Sequence, residues 1–154
     1  VRNDLGRVAL PGSVRVAELF AVERYRTVLQ LVSTVEGRLR PGTSLAAVLG
    51  ALFPCGSVTG APKVSATGII AGLERSPRGV YCGAIGYVAP GGDCVFNVAI
   101  RTVELDLARG EAVAGVGGGV TWASSAEGER DEALVKAAFL EERTEPFETH
   151  DRAG

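Results

Sequence analysis

The stretch from Val80 to Trp122, VYCGAIGYVAPGGDCVFNVAIRTVELDLARGEAVAGVGGGVTW, decides the fold class. Its apolar residues come in β-branched and aromatic runs, VYCGAIGYVA, CVFNVAIRTVELDL and AVAGVGGGVTW. Between them stand PGGD (residues 90–93) and ARGE (residues 108–111), which carry turn chemistry. Runs of this composition between such turns predict antiparallel strands. Upstream, residues 13–39 repeat the pattern in SVRV and TVLQLVSTVEGRL. Helices lie between and after the two strand regions. Thr43 or Ser44, following RPGTS (residues 40–44), can cap a short helix in LAAVLGALF. A second helix is predicted from Pro62 to about Glu74, with Val64, Ile69, Ile70 and Leu73 near helical spacing, and RSPRG ends it. A last helix covers about Ala126 to Glu142. Strands in groups with helices set apart predict an α+β fold, antiparallel sheets layered with helices.

Residues 1–12 read as a polar, turn-rich lead-in, and residues 146–154 as a polar, disordered tail. The only histidine, His150, lies in that tail and reads as solvated, without a catalytic role. No internal repeat or linker divides residues 1–145, so one domain is expected. A net charge of −2 gives no basic patch, which argues against a nucleic-acid partner. No apolar run approaches a membrane span and no signal peptide opens the chain, so a cytoplasmic protein is expected. Cys55, Cys82 and Cys94 form no C-x-x-C pair, which favours reduced thiols over disulfides or a zinc site. The sequence of 154 residues has no methionine, even at position 1, so it reads as a fragment whose beginning is missing.

Four places could carry chemistry. CGSVTGAPK (Cys55–Lys63) places small residues and a helix-starting proline ahead of a lysine, a lead-in suited to an anion such as a phosphate or a carboxylate. It is not a phosphate-binding P-loop, because Lys63 is displaced from Gly60 and Val64 follows it where Ser or Thr is needed. An ordinary glycine-rich helix lead-in explains it equally well. In the strand around Phe96, Phe96, Val98 and Ile100 should face a core, and Asn97, Ala99 and Arg101 the other way. There Arg101 either offers a planar fork to a carboxylate or simply meets solvent. Gly115, Gly117 and Gly119 would share a face of the next strand, marking either a ligand's close approach or a bulge. In the last helix, Glu129, Glu132 and Lys136 stand at i, i+3 and i+7 on one face. They either complement the helix dipole or hold a hard cation such as Mg²⁺, with the lysine meeting an anionic ligand.

The text of the chain joins these places. RNDLGR, PGSVRV, ELFAVERY, LVSTVEGRL, LFPCGSVTGAPK, RGVYCGAIGYV, FNVAIRTVELD, GVGGGV and the E-x-x-E-x-x-x-K helix resemble the chorismate-binding enzymes. That family comprises anthranilate, aminodeoxychorismate, isochorismate and salicylate synthases. The order and spacing are most similar to the aminodeoxychorismate synthase component I members. The resemblance implies the family's fold, antiparallel sheets sandwiched with helices, with this chain its C-terminal part. It implies Mg²⁺ as cofactor, with Glu132 as ligand and Glu129 beside the metal or its water. Tyr87 and Arg101 match residues that grip the enolpyruvyl carboxylate. Lys136 and the backbone of Gly117, Gly118 and Gly119 match contacts to the ring carboxylate, and Thr59 matches a position near the substrate. The implied reaction converts chorismate and ammonia to 4-amino-4-deoxychorismate for p-aminobenzoate and folate synthesis. A glutamine amidotransferase, as a subunit or a fused domain, would supply the ammonia.

The chain departs from the family pattern in three ways. The P-I-K-G-T motif with its nucleophilic lysine is absent, as is the glutamate before RND that supplies the other metal ligand. Gln30 stands before LVS where the family usually has histidine, and glutamine cannot shuttle a proton near neutral pH. Two other readings stay open: anthranilate synthase component I, and a degenerate chorismate-binding or scaffold module without catalysis. The segment after GY and FNVAIRT favours the aminodeoxychorismate reading over the anthranilate one.

Overall fold

The computed structural model describes residues 1–25 and 28–140. The tail expected at 146–154, with His150, lies outside these residues, as do positions 141 and 142 of the expected last helix. The α+β expectation holds. In chain order the elements are α1 (Arg2–Gly6), β1 (Arg15–Arg24), β2 (Leu29–Glu36), α2 (Leu45–Leu52), α3 (Gly56–Thr59) and α4 (Lys63–Leu73). Then come β3 (Ala84–Val88), β4 (Cys94–Val98), β5 (Val103–Asp106), β6 (Glu111–Ala114), α5 (Ala126–Ala137) and a 3-10 turn, Ala138–Leu140. The strands pair consecutively as antiparallel hairpins, β1 with β2, β3 with β4 and β5 with β6. Two compact units result. The first comprises Val1–Pro77 and Cys82–Val98; the second comprises Arg78–Tyr81 and the chain from Ala99 onward.

In the first unit two matching turns organise the lead-in. Leu10-Pro-Gly-Ser13 and Arg40-Pro-Gly-Thr43 each place proline second and glycine third, the type II signature. Gly12 and Gly42 have φ of +76° and +77°, which that turn requires and which glycine adopts without strain. The arms beside these turns bond to each other, Leu10 N–H to Arg38 O at 2.7 Å and Arg40 N–H to Val8 O at 3.0 Å. Val8 and Ala9 are buried there. Residues 1–12 are therefore not merely a lead-in: they contain α1 and part of the core. Ser44 caps α2, accepting from Ala47 N–H at 3.2 Å, whereas the Thr43 hydroxyl donates back to Arg40 O. Between α2 and β4 lies an apolar cleft of about 350 Å³, walled by Leu45, Leu49, Leu52, Phe96 and Val98.

The structure corrects the strand region in two places. CVFNVAIRTVELDL is two strands: β4 stops at Val98, β5 starts at Val103, and between them Arg101 takes a left-handed φ of +49°. The alternation expected to run from Asn97 through Ala99 to Arg101 is broken there. AVAGVGGGVTW leaves the strand at Ala114, so Gly115, Gly117 and Gly119 belong to a loop and share no strand face. The ARGE turn forms as expected, with Asp106 Oδ1 accepting from the N–H groups of Ala108 and Arg109. Inside the Cys55–Lys63 lead-in the chain makes one extra helical turn, α3, too short to leave a periodic signal.

Apolar side chains remain uncovered on many elements. Val64 and Leu73 of α4 are 86% and 77% exposed, so the helical spacing seen in the sequence does not seat them in a core of this chain. Leu19, Val22, Leu29 and Leu31 of the first hairpin and Ile85 and Val95 of the second are likewise exposed. All three cysteines are free thiols. Among the described residues no single helix is long and apolar enough to cross a membrane.

Two glycines with open space around them test the backbone account in opposite directions. Gly42→Ala forces a Cβ into the left-handed region and should cost about 1 kcal/mol. Gly68→Ala, inside α4, should gain up to about 1 kcal/mol from helix propensity. Urea unfolding midpoints of the two variants should therefore move to opposite sides of the parent; movement in the same direction would contradict the assigned conformations.

Candidate functional site

In the second unit, α5 and the glycine loop build one polar cluster. Ser125 caps α5, accepting from Gly128 N–H at 3.1 Å, and Glu127 and Glu129 occupy its positive first turn while Lys136 sits in the last. One face carries Glu129, Glu132 and Lys136, as their spacing predicts. Lys136 Nζ lies 2.6 Å from Glu132 Oε1 and donates to Gly117 O at 3.0 Å. An ammonium has three donors, so among the described residues one remains for another acceptor. Glu132 and Lys136 are 51% and 34% exposed, and an exposed helical pair of this kind contributes only a few tenths of a kcal/mol. What the pair gives is position: it ties the glycine loop to the helix.

Glu129 is arranged differently. Its Oε1 accepts from Ser124 Oγ at 2.5 Å, while Oε2 is shielded from water and has no hydrogen-bond partner among the described residues. A Cβ at residue 118 would collide with that same oxygen. Gly118 thus leaves room beside a carboxylate oxygen that lacks a partner. Such an oxygen, with Glu132 one turn along, is a donor set that suits a hard cation. The described residues contain no cluster of three or more potential ligands, so the two glutamates are a partial shell. Among the three glycines it is Gly118 that faces the acids, whereas a Cβ at Gly117 would meet the Tyr81 hydroxyl at 3.2 Å and one at Gly119 meets open space. The sequence reading missed Ser124 and Tyr81; the serine pair directly ahead of the acidic turn was the available signal. Arg101 lies outside the strands, exposed, at its positive φ.

The other expected residues lie on separate elements of the first unit. Gln30 is exposed on β2 opposite Glu23, and Tyr87 is exposed on β3 opposite Val95. Thr59 closes α3, half-buried, its hydroxyl donating to Cys55 O at 3.0 Å. Lys63 opens α4, and its anion is a residue of the same chain. Asp4, 6% exposed, sits 2.8 Å from Lys63 Nζ, which also donates to Ala51 O at 3.2 Å. Burial would raise the Asp4 carboxyl, but the hydrogen bond and charge of Lys63, with the Gly56 N–H, outweigh it and hold the pKa below the ordinary value. Burial pushes the Cys55 thiol up, so it stays neutral beside this pair. No local pattern could join Asp4 to Lys63, because the pair is made by tertiary packing. Removing one partner of so buried a pair costs about 3 kcal/mol.

A model of the chorismate binding enzyme family matches residues 1–142. The aminodeoxychorismate synthase of Streptomyces pristinaespiralis is 51% identical over 138 residues, which is 89% of this chain and 19% of that protein. Anthranilate synthase component 1 of Mycobacterium tuberculosis is 44% identical over 136 residues, 88% of this chain and 26% of that one. The crystal structure of anthranilate synthase component I from Streptococcus pneumoniae superposes with a TM-score of 0.75 at 38% identity, covering 89% of this chain and 31% of that chain. The chain thus spans about a fifth of the length of the Streptomyces relative. A family match along residues 1–142 and a superposable fold lead to one conclusion: this chain belongs to the chorismate-binding enzymes.

Proposed function

We propose that this chain is the C-terminal portion, about residues 1–145, of the catalytic domain of an aminodeoxychorismate synthase. The observation that carries the reading is the α5 cluster: a lysine with a spare donor, two carboxylates, and a glycine loop that leaves room beside them. In this reading Lys136 and the backbone of Gly117 to Gly119 bind the ring carboxylate of chorismate. Glu129 and Glu132 would hold Mg²⁺, the orphaned Glu129 Oε2 being the oxygen most in need of a cation. Bound there, Mg²⁺ would supply positive charge opposite the substrate's carboxylate. Tyr87 and Arg101 would grip the enolpyruvyl carboxylate, and Thr59 would stand near the ring. Gln30 can orient the departing 4-hydroxyl by a hydrogen bond but cannot give it a proton, so the proton comes from elsewhere.

The overall change replaces the C4 hydroxyl of chorismate by an amino group, with ammonia consumed and water released. The nucleophilic lysine and one metal-binding glutamate would come from the part of the domain this chain does not contain. A glutamine amidotransferase, as a subunit or a fused domain, would deliver the ammonia, in the cytoplasm. The exposed apolar faces of both first-unit hairpins and of α4 fit packing against the remaining part of such a domain.

A chimera tests this: the chain replaces its 138-residue counterpart in the Streptomyces pristinaespiralis enzyme. With chorismate, ammonia and Mg²⁺, mass spectrometry should find 4-amino-4-deoxychorismate. Anthranilate with pyruvate would turn the reading toward anthranilate synthase, and absence of turnover with chorismate still bound would turn it toward a non-catalytic module.

Within the same chimera, Gly118→Ala should weaken Mg²⁺-dependent chorismate binding about tenfold or more, because its Cβ takes the space beside Glu129. Gly119→Ala, facing open space, should change it less. Equal effects in calorimetric titrations would contradict the assignment of Gly118 as the residue that makes room.

A further inference from the structure

Asp4 reaches both ends of the segment that carries Thr59. At the start its Oδ2 stands 3.5 Å from where a Cβ on Gly56, the first residue of α3, would lie. At the end it meets Lys63 Nζ at 2.8 Å, the first residue of α4. Lys63 also donates to Ala51 O, which brings the end of α2 into the same arrangement. The two charged side chains are 9% and 19% exposed, so water competes weakly for them. Between these anchors the bonds of α3 include Val58 and Thr59 N–H to Cys55 O, at 3.0 and 3.2 Å. Helix α3 is a single turn, closed by Gly60 N–H to Gly56 O at 2.8 Å, and one turn does not stand on its own in water. Cys55 gives no side-chain cap at its start, and Gly60, at φ +111°, leads the chain away at its end.

We infer that Asp4 is a positioning residue: by packing against Gly56 and pairing with Lys63 through one carboxylate it fixes the α3 turn and, with it, Thr59. The consequence for ligand binding rests on the proposed chorismate site; the clamp itself does not. The other groups beside Asp4 are the Val1 amine at 3.5 Å and the neutral Cys55 thiol. Neither can replace Lys63, because the amine belongs to α1's own end and the thiol carries no charge.

Amide hydrogen exchange of the 154-residue chain, read by mass spectrometry, tests the clamp. Asp4→Asn should lower protection of residues 56–63 about tenfold or more and leave the β1–β2 hairpin as in the parent. The charge reversal Asp4→Lys with Lys63→Asp should restore part of that protection, which a merely space-filling role would not do. Should Asp4→Asn not fold, Lys63→Met, which keeps the stem and removes the ammonium, is read in the same way. The parent chain adds a pH series. A carboxyl whose folded pKa is lowered keeps its contribution above the ordinary value of 3.8 and loses it as pH falls through the lower folded one. Protection of residues 56–63 should follow that course. Unchanged protection in Asp4→Asn overturns the clamp, and so does a loss spread over every element that charge reversal does not rescue. Chorismate affinity in the presence of Mg²⁺, measured on the same variants in the chimera, should fall and recover with the exchange pattern. If the parent chimera binds no chorismate while the exchange pattern appears, the clamp stands and the functional reading fails.

Discussion

The Lys136 ammonium, held between Glu132 Oε1 and Gly117 O, is the constraint on which the candidate site depends. It converts a glycine-rich stretch, which has no side chains of its own to fix it, into a loop of defined position beside α5. A half-exposed ion pair contributes too little to stability for that to be its main effect. Its effect is geometric. With the loop tied down at Gly117, Gly118 comes to lie against Glu129, and one carboxylate oxygen is shut off from water without a partner among the described residues. A buried unpaired carboxylate oxygen is costly in isolation, and a cation beside it removes that cost. In the proposed site the same few residues would supply both an anion-binding and a cation-binding half.

The first unit solves a similar problem with a different device. Its glycine-containing segment, Cys55–Lys63, ends on an ion pair with a buried carboxylate that also lies against Gly56, instead of on an exposed ammonium. Burial makes this pair matter for stability as well as for position, since either charge left alone would lie in a poorly solvated place. Much of the remaining apolar surface is uncovered. Hairpins whose apolar residues point both ways need a layer on each side, and among the described residues of this unit the buried apolar ones are few and small: Val8, Ala9, Ala51 and Cys82. That is the surface expected of a chain spanning about a fifth of the length of its Streptomyces relative.

Local signals in the sequence predict the structure where local physics decides. The PGGD and ARGE turns, the Ser44 cap, the start of the last helix and the one-faced placement of Glu129, Glu132 and Lys136 all follow from neighbours within four residues. The errors arose where distant parts of the chain decide. Alternation past Val98 failed because Arg101 adopts a left-handed backbone that no period reveals. Alternation predicts a strand face for the glycine row, yet β6 ends at Ala114 and the backbone of Gly115 and Gly117 lies close against Tyr81. Asp4 carries no signal in a polar, turn-rich stretch, because its value lies in meeting Lys63. Tyr87, Thr59 and Gln30 have no local mark of function and are candidates only through the resemblance.

The central claim is that α5 and the glycine loop form one cation-assisted carboxylate site. Paramagnetic broadening by Mn²⁺, standing in for Mg²⁺, reads this directly in the amide spectrum of the chain. The expected result is broadening centred on Gly118, Glu129 and Glu132, strengthened when chorismate is added. Broadening centred on other acidic residues, or the same pattern with no response to chorismate, would contradict it.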